Sequence, residues 1–205
     1  MSDVYNPAEL RDVFSRKYSS VNSDWQGHSG PGSDPNYTIG YRGFLETFIR
    51  SNNIKTVVDI GCGDWQFTKY INFDGVNYLG LDVVDPVIMA NQERYGGRNI
   101  SFGRMPEQLS EAPQAQLLII KDVLQHLTEQ NIRSFIEIVL PKFQYCLLTN
   151  SYRRIQTPVN TPIRDGGFRC LDLSASPFNL RGAYVFSYFS PIYEEIRTYL
   201  HQPSR

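Results

Sequence analysis

Apolar side chains at Leu10, Val13, Phe14 and Tyr18 recur at near-helical spacing, which predicts a short amphipathic helix over residues 7–18. A second helix is predicted over 38–51, where Ile39, Phe44, Leu45, Phe48 and Ile49 crowd one face. Between them, residues 27–36 hold Gly27, Gly30, Gly32, Pro31 and Pro35, which stop helix and central strand alike. From residue 56 the pattern alternates. Short apolar runs at 56–60, 78–82, 99–102, 117–120 and 145–149 read as strands, with helical stretches at 86–95 and 129–140. Runs that are apolar throughout suit strands covered on both faces. Alternation of this kind predicts an α/β, doubly wound, mostly parallel sheet with right-handed crossovers. Beyond Asn150 prolines and glycines break the chain, and 168–173 and 183–189 are predicted as two late strands. No helical period connects 150 to 168, so that crossover reads as a long loop of functional type.

A chain of 205 residues fits one domain. Its 20 basic and 21 acidic residues leave a net charge of -1, so neither a nucleic acid nor a membrane surface is an expected partner. A local cluster, Arg153, Arg154, Arg164, Arg169 and Arg181, could face an anionic substrate or simply water. Cys62, Cys146 and Cys170 are odd in number and lack metal-ligand spacing, which predicts free thiols in a reducing compartment. No stretch approaches the ~20 apolar residues of a membrane span, and the N-terminus has no leader pattern. A soluble cytoplasmic protein, monomer or weak homodimer, is expected.

The sharpest feature is Val57-Val58-Asp59-Ile60-Gly61-Cys62-Gly63-Asp64, a strand stopping at Gly-x-Gly where a helix should begin. Glycines there allow a sharp turn and close approach of a ligand to backbone. Taken alone, that is also an ordinary strand-to-helix turn. Asp82 closes the next strand roughly twenty residues on, where a carboxylate can accept from both hydroxyls of a ribose. Dinucleotide-binding domains share this spacing, but their third glycine is missing: Trp65, Gln66 and Phe67 follow instead. Asp59 and Asp64 place negative charge by the turn, which repels phosphate and favours a sulfonium and an α-ammonium group.

These residues resemble the first and second motifs of class I S-adenosylmethionine-dependent methyltransferases. The stretch from Leu118 through Lys121, Asp122 and His126 to Leu127 is similar to that class's fourth-strand motif. More narrowly, Ser29-Gly30-Pro31-Gly32-Ser33, Lys121-Asp122-Val123-Leu124-Gln125-His126-Leu127 and Asp165-Gly166-Gly167-Phe168-Arg169 look like a microbial and viral branch whose members often accompany glycan-building enzymes. The resemblance runs from residue 28 to about 180. It implies a seven-stranded Rossmann-like sheet with an N-terminal helical and loop lid (1–51), a cofactor-binding core (52–150) and an acceptor-side loop with the last strands (151–205). It implies S-adenosyl-L-methionine as cofactor and S-adenosyl-L-homocysteine as product. Ser29, Gly30 and Ser33 then form a lid over the methionine end, beside Arg42. Asp59, Gly61, Cys62, Gly63, Trp65, Asp82, Val83, Lys121 and Asp122 are the remaining cofactor candidates. The class's third-motif acid is absent at Ser101-Phe102-Gly103-Arg104-Met105, so adenine contacts are assigned to Arg104 and Met105.

Lys121, Asp122 and His126 follow the fourth strand, where ligands bind in open α/β sheets. Methyl transfer to a hydroxyl needs a group to take its proton, and Asp122 and His126 are the catalytic candidates. His126 four residues after Asp122 could equally cap or pack a helix. His28, Asn150, Arg153, Asp165 and Arg169 are the acceptor candidates, and Tyr37 is a further contact. No metal is expected, although Asp122, Asn150 and Asp165 could converge. The expected activity is O-methylation of a sugar or glycan hydroxyl. A peptide or secondary-metabolite acceptor, and a noncatalytic cofactor-binding regulator, are the rival readings.

Overall fold

The computed structural model describes residues 5–19, 25, 28–154, 158–190 and 194–203, without the side chains of Arg153, Arg154 and Glu194. Seven strands form one sheet: β1 (Thr56–Ile60), β2 (Asn77–Asp82), β3 (Ile100–Arg104), β4 (Ala115–Lys121), β5 (Phe143–Arg154), β6 (Ala183–Phe189) and β7 (Glu194–His201). Their order is β3-β2-β1-β4-β5-β7-β6. The pairs from β3 to β5 are parallel, whereas β7 runs antiparallel to both β5 and β6. Helices α1 (Pro7–Ser19), α2 (Ile39–Ser51), α3 (Asp85–Tyr95) and α4 (Glu129–Ser134) accompany the sheet.

Strand β4 shows why the central runs are apolar without alternation. Successive side chains point to opposite faces. Leu118 and Ile120 join the core that contains Leu10, Phe14, Phe135 and Val139. Leu117 and Ile119 join the other, with Tyr41, Leu45 and Ile49 of α2. All four strand residues are at most 2% exposed, and burying each contributes about 1.5–3 kcal/mol. Truncating Leu118 to alanine would cost about 2–5 kcal/mol.

Several expectations are corrected. The helix expected after Gly63 is a single 3-10 turn, Thr68–Tyr70, because Trp65 at φ 59 takes a left-handed backbone that no α-helix can propagate through. Asp122 and His126 do not share a helix: Asp122 is left-handed at φ 57, and His126 ends the 3-10 turn Leu124–His126. The 129–140 helix is α for Glu129–Ser134 and then widens to a π-turn over Phe135–Val139. Residues 168–173 form no strand. Their backbone bonds go to scattered partners instead: Arg169 N to Gln125 O, Leu171 N to Ser151 O, and Asn160 N to Cys170 O. The last strand is β7, whose predominantly polar sequence gave no apolar run.

Candidate active site

The carboxyl ends of β3, β2, β1 and β4 lie side by side along one sheet edge. Met105, Asp82, Asp59 with Gly61, and Lys121 with Asp122 therefore succeed one another along it. A cavity of about 840 Å³ runs over this edge, closed by α1, Trp25, residues 29–33 and the 166–168 loop.

The turn after β1 is held by its own backbone. Gly61 N and Cys62 N both donate to Leu81 O, and Gly63 N donates to Asp82 Oδ2 at 3.0 Å. Val84 N donates to Asp82 Oδ1, fixing both carboxylate oxygens. Gly61 sits at φ 74 with Val123 packed where a Cβ would be, which joins the β1 and β4 loops closely.

Ser29 pins residues 29–33 onto this turn. Its Oγ donates to Asp64 Oδ1 at 2.5 Å, accepts from Asp64 N at 2.9 Å and lies 2.8 Å from Tyr18 Oη. Farther along, Lys121 Nζ donates to Gly32 O at 2.9 Å and pairs with Asp122 Oδ2. Asp122 Oδ1 is buried and has no hydrogen-bond partner among the described residues. A left-handed non-glycine backbone carrying an orphan acceptor is strain of the kind stored at functional sites.

His126 Nδ1 is 2.6 Å from Gly167 O. A carbonyl can only accept, so the proton sits on Nδ1. Nε2 meets the Gln125 amide at 3.5 Å, too long a contact to hold its lone pair. Burial lowers the histidine's pKa, and the ring is therefore neutral near pH 7. Trp25 and Phe168 flank it, with ring centroids at 5.6 and 5.9 Å.

Asp59 is buried on the cavity wall, and its carboxyl is pushed up to about 7, chiefly by desolvation. Asp82 is raised for the same reason.

No family model matches the sequence, and no curated protein sequence matches it. Solved structures do. The Burkholderia thailandensis 1,6-didemethyltoxoflavin-N1-methyltransferase, with its substrate and S-adenosylhomocysteine bound, superposes with a TM-score of 0.64 at 15% identity, covering 99% of this chain and 93% of that one. The magnesium protoporphyrin IX methyltransferase of Synechocystis PCC 6803, with S-adenosylmethionine bound, gives 0.60 at 13% identity, covering 98% and 100%. The N-terminal domain of EvdMO1, in the presence of S-adenosylhomocysteine and D-fucose, gives 0.59 at 10% identity and covers 100% of both chains. The chain has the class I methyltransferase fold.

Within that methyltransferase fold, the cavity brings together Ser29, Gly30, Ser33, Tyr37, Asp59, Gly61, Cys62, Gly63, Asp82, Val83, Met105, Lys121, Asp122 and His126 from among the sequence candidates. Others stand elsewhere. Trp65 is turned into the core among Phe73, Tyr78, Tyr95 and Phe102, where its Nε1 donates to Tyr78. Arg42 donates to Pro35 O and stacks over Tyr70, and Arg104 pairs with Asp85 outside the cavity. His28 accepts from Gly30 N. Asp165 receives Thr128 N and Asn131, bracing the start of α4. Arg169 is 1% exposed and donates to the carbonyls of Leu127 and Thr161, while Asn150 accepts from Gln125 N. These three buttress the His126 turn from behind. The Arg153 side chain lies outside the described residues.

The sequence reading missed Tyr18, Trp25 and Phe168 as cavity walls, and Gly167 as the partner that sets the His126 tautomer. A tryptophan just before the Gly/Pro loop was the one available signal. Among the described residues no three His, Cys, Asp or Glu side chains gather as a metal set, and no helix is long and apolar enough to cross a membrane.

Proposed function

We propose that this chain is an S-adenosylmethionine-dependent O-methyltransferase acting on a hydroxyl of a sugar or glycan intermediate. The observation that carries this reading is His126, a neutral imidazole whose Nδ1–H is tied to Gly167 and whose Nε2 is left for the cavity it lines. The residues along the sheet edge fit the cofactor in order. Val83 and Met105 offer apolar surface for a purine, and Asp82 accepts from the ribose hydroxyls. Backbone N–H groups of Gly63, Val84 and Val83 already bond the Asp82 carboxylate, whose two oxygens together offer about four acceptor positions and so keep room for a ribose hydroxyl. Asp59 faces the amino-acid end, under Ser29, Gly30 and Ser33. The orphaned Asp122 Oδ1 awaits a donor from the ligand or acceptor.

The cofactor supplies a methyl group on a positively charged sulfur, and its product is S-adenosylhomocysteine. With the cofactor bound, His126 Nε2 would take the acceptor's hydroxyl proton, and the residues around it would supply proximity, the larger share of the acceleration. No metal enters this scheme. The chain acts as one cytoplasmic unit, monomer or weak homodimer, on a small molecule or glycan and not on nucleic acid or membrane.

Trp25 and Phe168, flanking His126, give a platform for the C–H face of a pyranose. D-fucose accompanies one structurally similar protein. The same rings also suit a planar hydroxylated secondary metabolite, which is the second reading. Transfer of labelled methyl to rhamnose, fucose and nucleotide-sugar hydroxyls, set against phenolic acceptors, separates the two. Label on a sugar supports the first reading, and label confined to phenols replaces it by the second. Label on none of these hydroxyls refutes O-methylation.

A further inference from the structure

Behind the cavity wall lies a chain of three buried polar groups. Trp65 Nε1 donates to Tyr78 Oη at 3.0 Å, and Tyr78 Oη donates to Asp59 Oδ2 at 2.7 Å. The three residues are 4%, 1% and 5% exposed. Trp65 takes up its place through the left-handed backbone that also cuts off the expected helix. Tyr78, the second residue of β2, reaches across to the parallel neighbour β1. Neither aromatic lines the cavity, but Asp59 does.

We propose that Tyr78 and Trp65 are positioning residues that aim Asp59 at the α-ammonium group of the cofactor and keep it ionised, making selection for that group pH-dependent. This rests on the cofactor reading above. One Asp59 oxygen is committed to the relay, so the carboxylate cannot rotate freely and the other oxygen is directed to the ligand. The Tyr78 hydroxyl has one proton. Receiving the indole N–H leaves that proton for Asp59, and successive bonds in such a chain polarise one another. A donor to the charged form favours it, opposing the desolvation that raises Asp59.

The groups facing Asp59 from neighbouring elements are Tyr78 and Asp82 on β2, Lys121 on β4 and Tyr41 on α2, with Cys62 in the following turn. Asp82 opposes ionisation and Lys121 favours it. Burial raises the Cys62, Tyr41 and Tyr78 protons far above neutrality, so none of the three changes charge near pH 7. Lys121 is itself engaged by Asp122 and Gly32. Burial raises Asp82 as well, and a comparison ligand that keeps the ribose but lacks the ammonium separates its charge from that of Asp59.

The test compares S-adenosylhomocysteine with 5′-methylthioadenosine, which keeps the nucleoside and the thioether but has no amino-acid end. Calorimetric affinities are measured from pH 5.5 to 8.5 for the wild-type chain, Tyr78→Phe and Trp65→Phe. In the wild type, S-adenosylhomocysteine affinity rises with pH through about 7, whereas methylthioadenosine affinity stays level. Tyr78→Phe moves the midpoint of the rise to a pH about 1 higher, which weakens S-adenosylhomocysteine about fivefold at pH 7. Trp65→Phe moves it less, in the same direction. Equal weakening of both ligands, or an unmoved midpoint, overturns the relay and leaves the aromatics as packing. Should Tyr78→Phe not fold, Trp65→Phe decides by the same criterion. If neither nucleoside binds the wild type, it is the cofactor reading that fails, and the relay falls with it.

Discussion

His126 donates its Nδ1–H to the carbonyl of Gly167, 2.6 Å away and 41 positions on in the chain. The loop that carries Gly167 is in turn docked on the same turn, since Gly166 N donates to His126 O at 2.8 Å. A reciprocal contact of this kind fixes both the tautomer and the ring orientation. It leaves Nε2 as the ring's one directed lone pair, which is the atom the proposed function uses as base.

Replacing His126 by glutamine should therefore lower kcat by about 10²–10⁴-fold while leaving S-adenosylhomocysteine affinity within about threefold. Steady-state rates and calorimetry on the same preparation check this. A variant that retains wild-type kcat removes His126 from catalysis. In the wild type, kcat should hold through neutrality and decline only below the ordinary histidine range, because burial lowers this pKa.

Ser29 ties the 29–33 loop to the β1 turn through three contacts, with Asp64 Oδ1, Asp64 N and Tyr18 Oη. Ser29→Ala leaves a buried hydroxyl and an amide without their partner, at about 1–3 kcal/mol. The expected result is a roughly tenfold weaker cofactor complex with a small fall in Tm. Unchanged affinity would mean that the loop does not contribute to the site.

Asp59 gives a stability prediction with a definite sign. Its folded pKa is raised from 3.8 to about 7, so the folded chain holds a proton that the unfolded chain has released between those values. Ligand-free stability is then lost as pH climbs from about 4 to about 7, by at most about 4 kcal/mol. Asp82 works in the same direction, whereas His126 opposes it at the acid end of the range. Comparison with Asp59→Asn isolates the contribution. Asparagine should stabilise the ligand-free chain at pH 8 and give progressively less benefit toward pH 5, read as the difference in Tm. A constant difference across that range would contradict the assignment.

The central sheet was legible because burial on both faces forces a compositional signature: β4 reads as a continuous apolar run over 117–120, and β1 as a short β-branched run that ends at glycines. The end of the sheet was not. β7 is flanked by β5 and β6, yet its sequence, Glu-Glu-Ile-Arg-Thr-Tyr-Leu-His, is mostly polar. Thr198, fully buried, answers Thr149 with a 2.9 Å hydroxyl contact and so carries no hydrophobic signal. Conversely, 168–173 looked like a strand because Cys170, Leu171 and Leu173 are buried, although a tucked loop accounts for that burial. In the site, the glycine turn and the strand-ending aspartates were readable from local chemistry. Trp65 is a cofactor candidate by the motif resemblance, but its left-handed backbone turns it inward to Tyr78. Gly167 could not be paired with His126 from sequence, since only the closed crossover loop brings them together.

The glycine-hinged, acidic sheet edge should accept a nucleoside joined to an ammonium-bearing chain and reject a pyrophosphate. Isothermal titration of the purified chain at pH 8 with S-adenosylhomocysteine, and separately with NAD, tests this most directly. We predict saturable one-to-one binding of the first and none of the second. Binding of NAD, or no heat from S-adenosylhomocysteine at millimolar concentration, would contradict it.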